Sequence, residues 1–388
     1  MHFSTILARS PAAVLAHISR LSALSKDHVL LFSLSSNTPS SDLAQLVQKL
    51  TTFSPQSIGC LSGPLPGRHD GLLSCSFAMF KSDSCFPFRS QIQGRASPQV
   101  GRRHSFRQKE SQSDVLDQDV PSGNIDWGTV WNQSLTNNEL PSGLQSASLD
   151  EIGTIVYFTD AAPEGLSNTL ARFRGATKLG LFAASTPFIT GRPVTLFKGD
   201  KIYEAGAVGL ALKHPKANAR VQFLGMEPLC PPMLVTQAEG NLVISLDNKN
   251  PTQLLLAGIR AAGIDSAVSS LKDNDEFALA TLRGEDPHQM CTIMSGDPSR
   301  GTIALRSMSA PPIGARVQFF HRPRSTTVTI PQELTNPLSQ RQTLGFMAYP
   351  ETQTHQHIHS VEGEEGVTHI FQDTFLAASE GGLHLESR

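Results

Sequence analysis

Hydrophobic positions in the first half of the chain fall into two blocks of the same design. Residues 29 to 63 read as an apolar run ending at Phe32, a polar loop, a helix with Leu43, Leu46, Val47 and Leu50 on one face, and a second run at Ile58-Gly59-Cys60. Residues 155 to 185 repeat that order, with a run ending at Phe158, a helix carrying Leu166, Leu170 and Phe173, and a run over Leu179-Gly180-Leu181-Phe182. Apolar runs without alternation mark strands buried on both faces, and a strand–helix–strand connection of this length favours parallel pairing with a right-handed crossover. Ser41 and Glu164 stand near the helix starts, where an oxygen acceptor or a negative charge meets unpaired N–H groups. Further strands are expected at 72 to 80 and at 193 to 212, extending one block each.

From residue 219 the texture changes. Strands at 219 to 225, 233 to 237, 242 to 246, 277 to 283, 289 to 294, 302 to 307 and 315 to 321 are separated by short turns, so antiparallel hairpins dominate. One helix interrupts them, starting at Pro251 and ending at Gly263. The tail from 323 is less regular. Between the two blocks, residues 93 to 124 lose the hydrophobic period and read as a disordered insertion, a basic half followed by an acidic half. The expected fold class is therefore α/β and α+β: duplicated strand–helix–strand units, then a mainly antiparallel α+β domain. The corresponding division is 1–92 and 125–218 as two halves of one part, 93–124 as the insertion, and 219–388 as the second part.

Composition narrows the function. Across 388 residues, 32 Lys and Arg stand against 34 Asp and Glu, a net charge of −2 that offers no field to gather nucleic acid or anionic lipid. Twenty Phe accompany only 3 Tyr and 2 Trp, which points to core filling and not to stacking platforms. No apolar run approaches the roughly 20 residues of a bilayer span. Neither a nucleic acid nor a membrane is thus an expected partner. Five cysteines without a CxxC pair fit a reducing, cytoplasmic setting. Residues 1 to 26 hold Arg9, Arg20 and Lys26 but no acid, the composition of a mitochondrial transit peptide, which makes a mitochondrial location the alternative. Against it, Ala12, Val14, Leu15, Ile18, Leu21 and Leu24 make an apolar helical face leading into the strand at 28 to 34.

The chain carries no GxGxxG after a strand, no GxxxxGK[ST], no GxSxG and no HExxH, so nothing in it calls for a cofactor. Cys60, at a strand end with His69 nine residues on, is the most nucleophile-like residue; its other reading is a small side chain packed under a sheet. His355, His357 and His359 alternate and would share a strand face, or lie in a solvated loop. Ser105 follows Arg102-Arg103-His104, a pattern for phosphorylation by a basophilic kinase. Ligands of α/β layers collect beyond the carboxyl ends of parallel strands. Those ends bring in Ser36, Asn37 and Thr38, Cys60 with Ser62 and Gly63, Thr159 with Asp160, and Ser185 with Thr186. With Asp160 as the one carboxylate, such a rim suits a small polar or zwitterionic ligand; ordinary turns are the alternative.

Taken in order, Val29 to Phe32, Ile58-Gly59-Cys60 with Ser62-Gly63, Ile155 to Asp160, Lys178 to Ala184, residues 196 to 212, 234 to 247 and 295 to 306 resemble the FIST family, the F-box and intracellular signal transduction module, over about residues 11 to 322. The resemblance implies a sensory module without chemistry of its own, recognising a small metabolite of amino-acid type or a protein partner. In animal F-box members the module recruits substrates to a ubiquitin ligase, so ligase subunits are implied as further candidate partners, although no F-box is recognisable ahead of the first helix. The competing reading is an enzyme using Cys60 or Cys230.

Overall fold

The computed structural model describes residues 2–20, 27–66, 72–92, 139–160, 164–189, 191–213, 218–264, 276–297, 299–307, 310–322, 329–335, 342–349, 367–380 and 383–386. Both sequence blocks fold as their periodicity predicts. β2 (His28–Ser35) and β3 (Ser57–Ser62) pair in parallel across helix α2 (Ser40–Phe53), and β6 (Ile152–Thr159) pairs in parallel with β7 (Thr177–Phe182) across α3 (Glu164–Leu170). Each strand presents alternate residues to two apolar layers. Leu30, Phe32 and Leu34 pack under α2 and α1 (Pro11–Arg20), whereas Val29 and Leu31 face the opposite sheet.

The first sheet has seven strands in the order β20-β1-β4-β2-β3-β8-β9, with β1 (His2–Ala8), β4 (Leu73–Lys81), β8 (Leu196–Lys198), β9 (Lys201–Tyr203) and β20 (Val367–Gln372) completing it. The second has the order β22-β7-β6-β10-β5, adding β5 (Cys85–Ser90), β10 (Ala207–Lys213) and β22 (Leu383–Glu386). The two sheets face each other, and α1 with α2 on one outer side and α3 on the other make four layers, α-β-β-α. Of the strands expected at 193 to 212, only β10 extends the second block; β8 and β9 cross to the first sheet, where Cys60 pairs with Leu196. The reason lies in the segment after β7. Ala184 N–H donates to Leu61 O at 2.8 Å, which lays the chain against the free edge of β3.

The tail is more ordered than its pattern implies. β19 (Thr343–Tyr349) and β21 (Thr374–Glu380) join β11 (Asn218–Phe223) in an all-parallel three-stranded sheet, and β20 and β22 close one edge each of the two larger sheets. Phe346 and Phe375 enter the layer between the sheets beside Phe158, with ring centroids 6.1 and 6.4 Å from it. Fully burying side chains of this size contributes about 1.5–3 kcal/mol each.

β13 (Met233–Glu239), β14 (Leu242–Leu246), β15 (Glu276–Arg283), β16 (Asp286–Gly296), β17 (Ile303–Leu305) and β18 (Arg316–Arg322) are antiparallel as expected, and the pairing of β15 with β18 closes them into a barrel. β12 (Glu227–Pro228) pairs with β18 ahead of β13, on the same edge. Closure leaves no unpaired edge among these strands. Helix α4 (Pro251–Ala261) contributes Leu255 and Ile259 to the barrel's core; Asn250 caps it by accepting Gln253 N–H at 3.0 Å, and Gly263 ends it at φ +67. Helix α2 lacks such a cap. Its N-cap position is Pro39, and the Ser41 hydroxyl bonds Asp42 inside the first turn, which corrects the capping role expected of Ser41. A last short helix, α5 (Gln332–Thr335), buries Leu334 against Leu376 and Met347.

Candidate functional site

The carboxyl ends of the two parallel pairs meet because the chain leaving β7 runs directly onto β3. Ala183 N–H donates to Thr159 O at 2.9 Å, and one residue later Ala184 bonds Leu61 and accepts Thr195 N–H at 2.9 Å. Ser36 N–H, just past β2, donates to Ser62 O at 2.8 Å. Ser36, Ser62, Ser185 and Thr186 are therefore gathered around the end of β3, and Thr159 with Asp160 borders them at the end of β6.

Their side chains divide into two sets. Ser62 is buried and accepts the Ser33 hydroxyl at 2.7 Å, and the buried Thr186 and Thr195 hydroxyls bond each other at 2.6 Å. Cys60 is wholly buried in the layer between the sheets. These groups hold the rim together. Ser36 is half-buried, Asn37 and Ser185 are exposed, and the Asn37 amide donates to Leu72 O at 3.1 Å. The surface a ligand meets at this rim is thus Ser36, Asn37, Ser185 and the half-buried Asp160.

Asp160 brings in a cation that sequence reasoning missed. Its carboxylate accepts Gly206 N–H at 2.6 Å, fixing the turn before β10, where Gly206 adopts a φ of +76. Arg89 lies beside it: burial lowers the guanidinium's pKa, and Tyr203 and Asp160 pull it back up. Arg89 bonds Ala207 O at 3.1 Å and Ala205 O at 2.5 Å and lies 4.5 Å over the Tyr203 ring. The rim is therefore not uncharged apart from Asp160. A cue existed in the run Cys85-Phe86-Pro87-Phe88-Arg89-Ser90, where a charge breaks a strand-like apolar stretch.

Other buried hydroxyls close a free strand edge. β21 is the outer strand of its sheet, so its unpaired backbone groups need partners. Thr5 supplies two, accepting Leu376 N–H and donating to Thr374 O, both at 2.9 Å, and the Ser76 hydroxyl donates to Leu376 O. Gly63 N–H donates to Ala378 O at 2.8 Å, and the Tyr349 hydroxyl donates to Pro64 O at 2.7 Å.

Burial pushes the Cys60 thiol far up despite a hydrogen bond from Ser33, and it raises the half-buried Cys230 as well. Among the described residues no group of three or more His, Cys, Asp or Glu could hold a metal ion, and no helix is long and apolar enough to cross a membrane. His69, His355, His357, His359 and Ser105 lie outside the described residues.

A family model described as FIST N domain matches residues 27–249, more than half of the chain, taking in both parallel pairs, the rim and the first hairpin of the barrel. No curated protein and no solved structure matches.

Proposed function

Because the chain belongs to the FIST family of signal-transduction sensory domains, we propose that it is a sensory module without chemistry of its own, binding a small polar or zwitterionic metabolite at the rim of Ser36, Asn37, Ser185 and Asp160. The observation that carries this reading is the pair of hydrogen bonds at Ala183 and Ala184, which joins the carboxyl ends of two strand pairs from different sheets. The region beyond the carboxyl ends of parallel strands is where α/β folds take small ligands.

A thermal-shift screen with amino acids and nucleotides tests it. A true ligand raises the Tm saturably, with about 2.7 kcal/mol of stabilisation at ~100 Kd, and Asp160→Asn or Ser185→Val weakens the effect. If no small molecule stabilises the protein, the proposal fails and the second reading gains.

That second reading is a protein partner. It draws on Phe188 and Ile189, which follow Thr186 and Pro187 and are 48% and 44% exposed. Purification of the intact protein with crosslinking, followed by Phe188→Ser, separates the two. Loss of a specific partner in the variant, ligase subunits included, would favour the recruiting role.

A further inference from the structure

At the seam where β5 of the second sheet faces β8 and β9 of the first, two cations enter from opposite sides. Cys85 of β5 points into the layer between the sheets and Phe86 and Phe88 point away, so Arg89 falls on the inward face. Lys198 pairs with Ile58, which also points inward, and therefore enters the seam from the other side. Burial and the neighbouring guanidinium together hold the Lys198 ammonium below the usual lysine range.

Two nearby carboxylates already hold other donors. Asp160 holds Gly206 N–H, and Glu204 pairs with Arg192 at 3.8 Å. Arg89 directs both terminal nitrogens at carbonyls, while its Nε is buried without a hydrogen-bond partner. Lys198 has no hydrogen-bond or ion-pair partner among the described residues. Buried donors without acceptors are rare, and a cation at a partly closed seam gains from a counter-charge.

We infer that Lys198 and Arg89 form a subsite for an oxyanion, the carboxylate or phosphate group of a small ligand, at the seam between the two sheets. This deepens the preceding reading by assigning the ligand a charge, and it rests on that reading for the ligand being small. Lys198 supplies the mobile point charge, and Arg89, held in place by Tyr203 and two carbonyls, supplies a fixed one.

The test uses inorganic phosphate and acetate as separate probes, each titrated into the intact protein against chloride at equal ionic strength. Saturable stabilisation by phosphate alone assigns a phosphate group, by acetate alone a carboxylate. In either case Lys198→Met weakens binding by about tenfold or more, as expected for a charge-assisted hydrogen bond, while Lys249→Met, in the barrel, leaves it unchanged. Arg89→Lys keeps the charge and loses the fork, and weakens binding less than Lys198→Met does. Absence of any saturable response to both probes, or equal binding by Lys198→Met, overturns the inference. A metabolite that stabilises the protein equally with and without Lys198, yet is sensitive to Ser185→Val, overturns it while leaving the rim reading intact.

Discussion

The ring of Phe32 lies across Gly59, its register partner where β2 and β3 run in parallel, and a Cβ on Gly59 would collide with the ring. Tyr157 covers Gly180 in the same way at the pairing of β6 with β7. The duplicated units therefore align Phe32 with Tyr157 and not with Phe158, the residue that ends the second apolar run. Phe158 points into the layer between the sheets, whereas Phe32 points outward under the helices. Gly59→Ala should lower stability by about 1–3 kcal/mol, because the ring has no room to retreat. Adding Phe32→Leu should recover part of that loss. Urea unfolding of the two single variants and the double variant checks this, and strictly additive losses would show that the ring is not the obstacle.

Thr5 and Ser4 are neighbours with opposite expectations. Thr5→Val leaves Leu376 N–H and Thr374 O without their partner inside the protein and should cost about 1–3 kcal/mol. Ser4 is equally buried, but its hydroxyl has no hydrogen-bond partner among the described residues, so Ser4→Ala should be neutral or stabilising. Equal denaturation midpoints for the two variants would contradict the role given to Thr5 at the β21 edge.

Stability should fall in mild acid. His2 and His17 flank Phe77, at 5.9 and 6.0 Å between centroids, and burial lowers both pKa values below 6.5. Asp373 opposes the shift at His2, while the chain's N-terminus adds to it; Arg20 and His2 add to the shift at His17. The folded protein thus binds fewer protons at these sites than the unfolded chain, so stability rises with pH through this range. The loss begins as pH drops below about 6.5, the unfolded value, and levels off once both histidines are charged in the folded state. His17→Gln should flatten the dependence of the urea midpoint between pH 7.5 and 5. An unchanged slope would assign the acid sensitivity to other groups.

Thiol chemistry separates the sensory reading from the enzymatic one. Burial raises the Cys75 and Cys85 thiols to about 12 and Cys60 further, so none of them should label quickly at neutral pH in the folded protein. Cys230, the only one of the five not fully buried, should react first, and the rest together upon unfolding. Rapid modification of Cys60, quenched by a metabolite, would overturn the absence of chemistry.

Much of the fold was readable because it is local. Two apolar runs flanking an amphipathic helix announce β2–α2–β3 and β6–α3–β7, and Asn250, Pro251 and Gly263 mark both ends of α4. β1 escaped notice because His2–Ala8 adjoins a helical pattern, and β19, β20 and β22 because β11, β1 and β7, which they join, lie more than a hundred residues away. The rim residues were found by one rule, that ligands gather beyond parallel strands. What that rule does not distinguish is which hydroxyls bind each other, as Ser62 and Thr186 do, and which stay open, as Ser36 and Ser185 do.

By itself the sequence determined the strand–helix–strand units and the hairpins after 219, since each follows from the spacing of apolar residues within a few tens of positions, and its count of charges set the near-neutral net charge. Tertiary structure alone decided that β8 and β9 cross to the first sheet, that the tail completes all three sheets of the layered part, that the hairpins close into a barrel, and that Arg89 and Lys198 both face the layer between the sheets. These outcomes depend on which backbone edges are left free and on which face of a strand looks across at another sheet. One residue's shift in register would turn Arg89 outward, and only the packed sheets set that register.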